Sequence, residues 1–182
     1  AADVWDAFAA ATVFMAVPTV YAKLLQAFGD AAADARARWA TAAGRLRLFT
    51  SGSAPLPAAM LEAFRAATGQ TILERYGMTE IGMALSNPYD GPRVPGAVGR
   101  ELPGVSIDIV DEAGRAVAAG EPGELRVRTP QMFSAYHGDP AATAASFDAE
   151  GRFRTGDTGA RDADGVVRLY GRTSIDIIKS GG

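Results

Sequence analysis

The residues with the most chemical potential lie together in Glu74-Arg75-Tyr76-Gly77-Met78-Thr79-Glu80. Tyr76 followed by Gly77 sets an aromatic face beside a residue that lets backbone or ligand approach closely. Thr79 and Glu80 place a hydroxyl beside a carboxylate, a pair suited to a phosphate oxygen and a hard cation. Arg75 adds a fixed cation one residue before the aromatic. Taken singly, each residue also reads as part of a polar turn after a strand; the combination points to a ligand.

Two further stretches have chemistry of their own. Ser51-Gly52-Ser53-Ala54-Pro55-Leu56 has small residues that allow close backbone approach, and a helix start beyond it favours anionic groups. It lacks the Gly-x4-Gly-Lys-Ser/Thr pattern of a P-loop. An ordinary strand-to-helix turn with a Ser cap is its plainer reading. Phe153-Arg154-Thr155-Gly156-Asp157 places a carboxylate after a Gly turn, where Asp157 could accept from two vicinal hydroxyls or simply begin the next strand.

These stretches need elements to position them. Ala2 to Ala10 has helical spacing, and Thr12 to Val17 is a continuous apolar run expected to form a buried strand. Pro18 stops that strand, Thr19 to Phe28 has helical spacing, Asp30 to Gly44 reads as an exposed polar helix, and Leu46 to Thr50 as a second strand. Pro57 to Thr68 is amphipathic and ends at Gly69. Apolar Thr71 to Leu73 leads into the Tyr76 stretch, the usual place for a site in an α/β sheet. The alternation of strand and helix predicts an α/β class with a parallel-sheet layer. After Asn87-Pro88 the chain turns Gly- and Pro-rich. Alternating strands follow at 105–110, 123–128 and 166–170, with turns at Asp111-Glu112-Ala113-Gly114 and Asp162-Ala163-Asp164-Gly165 and a helix from Pro140 to Phe147. This half is expected to be a small antiparallel β-barrel-like subdomain. The expected division is 1–94, 95–171 and a terminal stretch 172–182.

Composition narrows the function classes. The chain has 182 residues, of which 48% are hydrophobic and 21% charged, which is ordinary for a globular protein. A net charge of −3 with no basic stripe argues against nucleic acid as a partner. With no cysteine there is no disulfide or thiolate metal site, which fits a reducing compartment such as the cytoplasm. His137 is the single histidine, so no Ser-His-Asp triad or imidazole cluster exists, and it is assigned no role. No apolar run reaches membrane-spanning length.

Tyr76-Gly77-Met78-Thr79-Glu80 closely resembles the signature of adenylate-forming enzymes, the superfamily of acyl-CoA synthetases, amino-acid-activating domains and luciferases. The resemblance extends in order through Val17-Pro18-Thr19, Ser51 to Leu56, Thr155-Gly156-Asp157 and Gly171 to Gly182. It implies that Tyr76 stacks on adenine and that Thr79 holds phosphate and Glu80 holds Mg²⁺, the two serving as the catalytic pair. It further implies that Ser53, Ala54 and Pro55 form the adenine-side loop, with Gly77 and Met78 alongside the nucleotide. Asp157 would hold the ribose with Arg172 near it, ahead of a hinge between Ser174 and Asp176. Within the superfamily, Val17 to Tyr21, Glu74 to Glu80 and Asp176 to Gly182 look most like malonyl-CoA synthetases. That likeness implies ATP, Mg²⁺ and CoA as cofactor and co-substrates, and Arg75 on the second carboxylate of a malonate or methylmalonate. Lys23 departs from the Arg that some malonyl-CoA synthetases have there, and Met83 and Ala84 could wall an acyl pocket or belong to a core. The family's phosphate loop and catalytic C-terminal Lys are expected upstream of residue 1 and beyond Gly182, so the chain reads as a central fragment that would be inactive alone. Another acid specificity, or a non-catalytic nucleotide-binding or interaction domain, are the competing readings.

Overall fold

The structure is a computed structural model and describes residues 1–172. The chain forms two compact units, one of Ala1–Arg75 with Asn87–Gly96, the other of Tyr76–Ser86 with the residues from Ala97 onward.

The first unit is an α/β layer. Helix α1 (Ala2–Ala7) runs into a short 3-10 turn, then come β1 (Val13–Ala16), α2 (Pro18–Asp30), α3 (Ala33–Gly44), β2 (Leu48–Ser51), α4 (Ala58–Thr68) and the start of β3 (Leu73–Met78). β1 pairs with β2 and β2 with β3, both in parallel, as the alternation of elements predicts. Pro18 occupies the first turn of α2, where its missing N–H costs nothing, and Gly69 ends α4 in the left-handed conformation at φ 74°. The core is aromatic: Phe64, fully buried, lies 5.0 Å from Phe49, 5.3 Å from Tyr21 and 6.1 Å from Trp5 between ring centroids. Helix α3 is exposed along most of its length, as expected, with Trp39 and Ala43 as its buried residues. Trp39 is buried and its indole N–H donates to Asp6 Oδ1 at 2.7 Å, so one large aromatic anchors an otherwise Ala- and Arg-rich helix.

The second unit begins within β3 at Tyr76. β4 (Gly82–Ser86) pairs antiparallel with β5 (Arg100–Glu101). A four-stranded antiparallel sheet then follows, β6 (Ser106–Val110), β7 (Gly123–Arg128), β8 (Phe153–Arg161) and β9 (Val167–Arg172) in that spatial order, with α5 (Pro140–Ala145) between β7 and β8. Among the described residues this sheet stays open and does not close into a barrel. The stretch around Gly156, read from sequence as a turn, lies within the nine-residue strand β8 but interrupts it: Gly156 has a φ of 68°, and the pairing with β7 shifts register between Arg154 and Thr158. Helix α5 stops two residues before Phe147. Three aspartates form the corners of this unit. Asp111, Asp148 and Asp162 each accept, on Oδ1, backbone N–H groups from two and four residues ahead, at 2.8–3.0 Å. The core is mostly aliphatic, built on Ile107, Leu125, Val127 and Val167, with Phe153 beside them.

Candidate active site

In the first unit, the loop after β2 is held from below by a buried carboxylate. Ser51 and Glu74 are opposite one another in the parallel register of β2 and β3. Glu74 is 3% exposed, and its Oε1 accepts the Leu56 N–H at 3.0 Å, which fixes the far end of the loop. Ser53, Ala54 and Pro55 are exposed between these anchors, and Ser53 adopts a positive φ of 67°, a strained conformation for a residue with a Cβ. The half-buried Arg75 guanidinium packs over Gly52, where any Cβ would collide with Arg75 Nη1. A side chain at position 52 would therefore displace the Arg75 guanidinium from where it packs. The hydroxyls of Thr50 and Ser51 are buried without a hydrogen-bond partner. The backbone carbonyl of Glu74 accepts both the N–H and the side-chain amide of Asn87 at 3.1 Å, and Asn87 Oδ1 accepts the Val94 N–H.

The second unit gathers seven of the sequence-predicted residues, Tyr76 to Glu80 with Asp157 and Arg172. Tyr76, Gly77 and Met78 are the last residues of β3, and Thr79 and Glu80 form the turn that follows. That turn is closed by the Ile81 N–H donating to Met78 O at 3.2 Å and is pinned by Ile81, which is fully buried. Gly77 faces β4 so closely that a Cβ there would press on Met83 Cα at 2.9 Å and on the Gly82 carbonyl. Thr79 is exposed and Glu80 half-buried. The Tyr76 phenol donates to Asp157 Oδ2 at 2.6 Å, and Arg172 Nε is 3.3 Å from Asp157 Oδ1. Asp157 is set in turn by Thr155, whose Oγ1 accepts the Asp157 N–H at 3.0 Å and donates to Leu125 O at 2.8 Å. Burial, the charge of Asp157 and the hydrogen bond to it push the Tyr76 phenol well above its usual range. It therefore stays a donor at neutral pH. Asp157 still has unused lone pairs, which suits it to vicinal hydroxyls, while the half-exposed Arg172 offers a cation beside them.

Two residues in these arrangements had no role assigned from sequence. Glu74 had a visible signal, an acid directly after the apolar lead-in Ile72-Leu73. Tyr136 had none. Its phenol donates to Glu80 Oε1 at 3.0 Å, although the two are separated by 56 positions. Burial, then the hydrogen bond to Glu80, raise the Tyr136 phenol, while Ser146 and Arg172 pull the other way. Ala84 is fully buried in the second core, which favours the packing reading for it. His137 is exposed. The hinge region 174–176 and the segment 178–182 lie outside the described residues.

Among the described residues no group of three His, Cys, Asp or Glu side chains comes together. Glu80 with a neighbouring hydroxyl nonetheless fits Mg²⁺, which keeps several waters and takes one or two carboxylates plus substrate phosphates. Among the described residues no helix is long and apolar enough to cross a membrane.

An α/β layer, an antiparallel sheet and a Tyr76–Asp157 hydrogen bond at the end of the strand that leads to Thr79 and Glu80 are the features to be matched to a class of protein. Residues 2–137 match the family described as AMP-binding enzyme, and the chain belongs to that family. It is 46% identical to a mitochondrial malonate–CoA ligase of Mus musculus, over 100% of this chain and 36% of that protein. It is 43% identical to a malonate–CoA ligase of Arabidopsis thaliana, over 94% of this chain and 28% of that one. Among solved structures it is similar to ATP-bound MatB from Rhodopseudomonas palustris, with TM-score 0.85 and 45% identity over 94% of this chain and 33% of the other. A malonyl-CoA ligase ternary product complex with methylmalonyl-CoA and AMP bound gives TM-score 0.82 and 41% identity, over 98% and 37% of the two chains. The chain spans about a third of the length of these relatives.

Proposed function

We propose that this chain is the central part of an ATP-dependent, AMP-forming acid–CoA ligase that activates malonate. The observation that carries the reading is the similarity, at 41–46% identity, to malonate or malonyl-CoA ligases along nearly the whole chain. Benzoate- and anthranilate-CoA ligases resemble it less, at 33% and 32%.

The reaction runs in two steps. A substrate carboxylate attacks the ATP α-phosphorus and expels pyrophosphate, giving an acyl-adenylate; the CoA thiol then attacks the acyl carbon and expels AMP. The chain's own residues position and neutralise rather than exchange protons. In the second unit, the Tyr76 ring covers adenine with its hydroxyl tied down by Asp157, while Gly77 and Met78 let the nucleotide approach the backbone. Asp157 accepts from the ribose hydroxyls with Arg172 beside it. Thr79 donates to a phosphate oxygen, and Glu80 holds Mg²⁺, which when bound neutralises phosphate charge. In the first unit, Ser53, Ala54 and Pro55 contact the nucleotide, and Arg75 holds the carboxylate of malonate that does not react. A planar guanidinium suits that carboxylate better than an ammonium does.

The test is ATP–pyrophosphate exchange by the full-length protein that carries this chain, with malonate, methylmalonate, propionate and acetate. Malonate should be preferred. A hydrogen bond to a charged group is worth about 1.5–3 kcal/mol, so Arg75→Gly should lower malonate specificity by roughly ten- to a hundredfold and propionate little. Equal losses on malonate and propionate would rule out the role of Arg75, and a wild type indifferent to malonate would rule out the substrate.

A further inference from the structure

Glu80 stands half-buried on a turn beside the exposed Thr79, and a glutamate has three rotatable bonds with which to wander. A ligand for a cation needs the opposite. Groups one step removed from a ligating side chain commonly supply that order. The structure shows one such group. Tyr136 lies between β7 and α5, and its phenol O–H reaches Glu80 Oε1 at 3.0 Å. The same loop grips the turn through the backbone, since the Phe133 N–H donates to Glu80 O at 2.8 Å.

The loop is itself fixed. The rings of Phe133 and Tyr136 are 4.8 Å apart, and Phe133 meets Phe153 at 5.7 Å edge to face. Phe153 is a buried member of the second core. The Tyr136 N–H donates to Thr143 Oγ1 at 3.0 Å, and that hydroxyl donates to Asp139 O at 2.8 Å at the start of α5. An aromatic chain thus runs from the core to Glu80, with its hydroxyl at the outer end. Packing alone gives no reason for that hydroxyl, because Phe would fill the same place on Phe133.

We propose that Tyr136 is the positioning residue of Glu80, its phenol O–H taking one carboxylate oxygen so that the other is held out to a divalent cation. The inference rests on the reading of Glu80 as the Mg²⁺ ligand. A single phenol suits the task because it occupies one of the carboxylate's acceptor sites and brings no competing charge.

The test is calorimetric titration of Mg²⁺ into the full-length protein saturated with a non-hydrolysable ATP analogue. Wild type, Tyr136→Phe, Glu80→Gln and the double variant are compared. Tyr136→Phe should weaken Mg²⁺ binding about tenfold, the usual scale for losing such a partner, and should add little in the Glu80→Gln background. Thermal melting should barely change, since the ring remains on Phe133. No weakening by Tyr136→Phe, or equal weakening in both backgrounds, overturns the inference. If Glu80→Gln leaves Mg²⁺ binding unchanged, the reading of Glu80 fails and takes the inference with it. If Glu80→Gln weakens binding while Tyr136→Phe does not, the inference alone fails. Should Tyr136→Phe not fold, Tyr136→Leu is judged by the same difference between backgrounds.

Discussion

The two units solve the problem of holding a polar loop still by different physical means. In the first, the loop after β2 rests on a core of interlocking rings, Trp5, Phe8, Tyr21, Phe49 and Phe64, and one buried carboxylate, Glu74, ties it down. In the second, the core is smaller and aliphatic, and the chain is shaped at its surface by aspartates folded back on their own backbone at Asp111, Asp148 and Asp162. Ring packing is insensitive to pH and costly to thin out. Carboxylate-capped turns are each weaker and share a dependence on ionisation.

The difference is broken most severely by removing volume from the first core. Phe64 is fully buried and touches three other rings. Phe64→Ala should cost about 3–5 kcal/mol, the range for large aromatic truncations in a packed core. Denaturant unfolding followed by tryptophan fluorescence suits the measurement, because both tryptophans, Trp5 and Trp39, sit in the first core. A cost below about 1 kcal/mol would mean that the ring cluster collapses around the gap and is not the rigid base described.

Acid sharpens the comparison at an intermediate scale. Among the described residues, the two carboxylates held below their usual range, Asp111 and Asp148, both belong to the second unit. At Asp111 the backbone and side-chain hydrogen bonds from Arg115 are responsible. At Asp148 burial works the other way, but hydrogen bonds from the Arg152 N–H and guanidinium and from the Glu150 N–H outweigh it. A depressed folded value stabilises above the ordinary carboxylate range, and the contribution is lost as pH falls through and below it. Acid should therefore erode the second unit first, seen as loss of sheet signal by circular dichroism before tryptophan fluorescence moves. Asp148→Asn should cost about 1–2 kcal/mol at neutral pH, since the amide keeps an acceptor for the backbone N–H groups and loses only the charge facing Arg152 and Arg126. That cost should shrink toward pH 3. A difference from wild type that is the same at both pH values would exclude the ionic origin.

The first unit was the more legible of the two in the sequence. Continuous apolar runs, Pro18 and Gly69 mark β1, β2, α2 and α4 within a few residues of their observed ends. The signal there is local. The second unit hides more. The Gly turn read at Gly156 is a left-handed kink, φ 68°, inside a strand that is paired before and after it, and a Cβ at Gly159 would strike the Arg168 carbonyl. β4 and β5 are too short to show a period of two. Two of the aspartate turns were readable from Asp-x-x-Gly between strands; Asp148 has the same spacing but follows a helix, so it had no strand on one side to mark it. The Tyr76 to Glu80 stretch was visible because its residue types are chemically dense. Tyr136 was not, because its partner is distant in sequence and nothing in its neighbours points to that partner.

The smallest expected effect separates the site from the scaffold within the second unit. Tyr76 donates to Asp157 at 2.6 Å, while the second oxygen of Asp157 keeps Arg172 at 3.3 Å. Tyr76→Phe leaves the ring on the core and Asp157 still paired, so its stability cost at pH 7 should be about 1 kcal/mol, typical of one net hydrogen bond. The cost has a defined pH dependence. The folded-state phenol is held above its ordinary value near about 10, by burial first and then by Asp157. A raised value stabilises fully below the unfolded one, and that stability drains away as pH climbs above it, because only the unfolded phenol ionises there. The gap between wild type and Tyr76→Phe should therefore narrow above about pH 10. Tyr21, whose phenol is also raised by burial but in the first unit, contributes the same loss to both proteins and cancels in the comparison. Denaturant unfolding of the two proteins at pH 7 and pH 10.5 measures the change. A gap that stays constant across that range would show that the phenol stabilises through shape and not through its proton, and Asp157 would then be held by Arg172 and Thr155 alone.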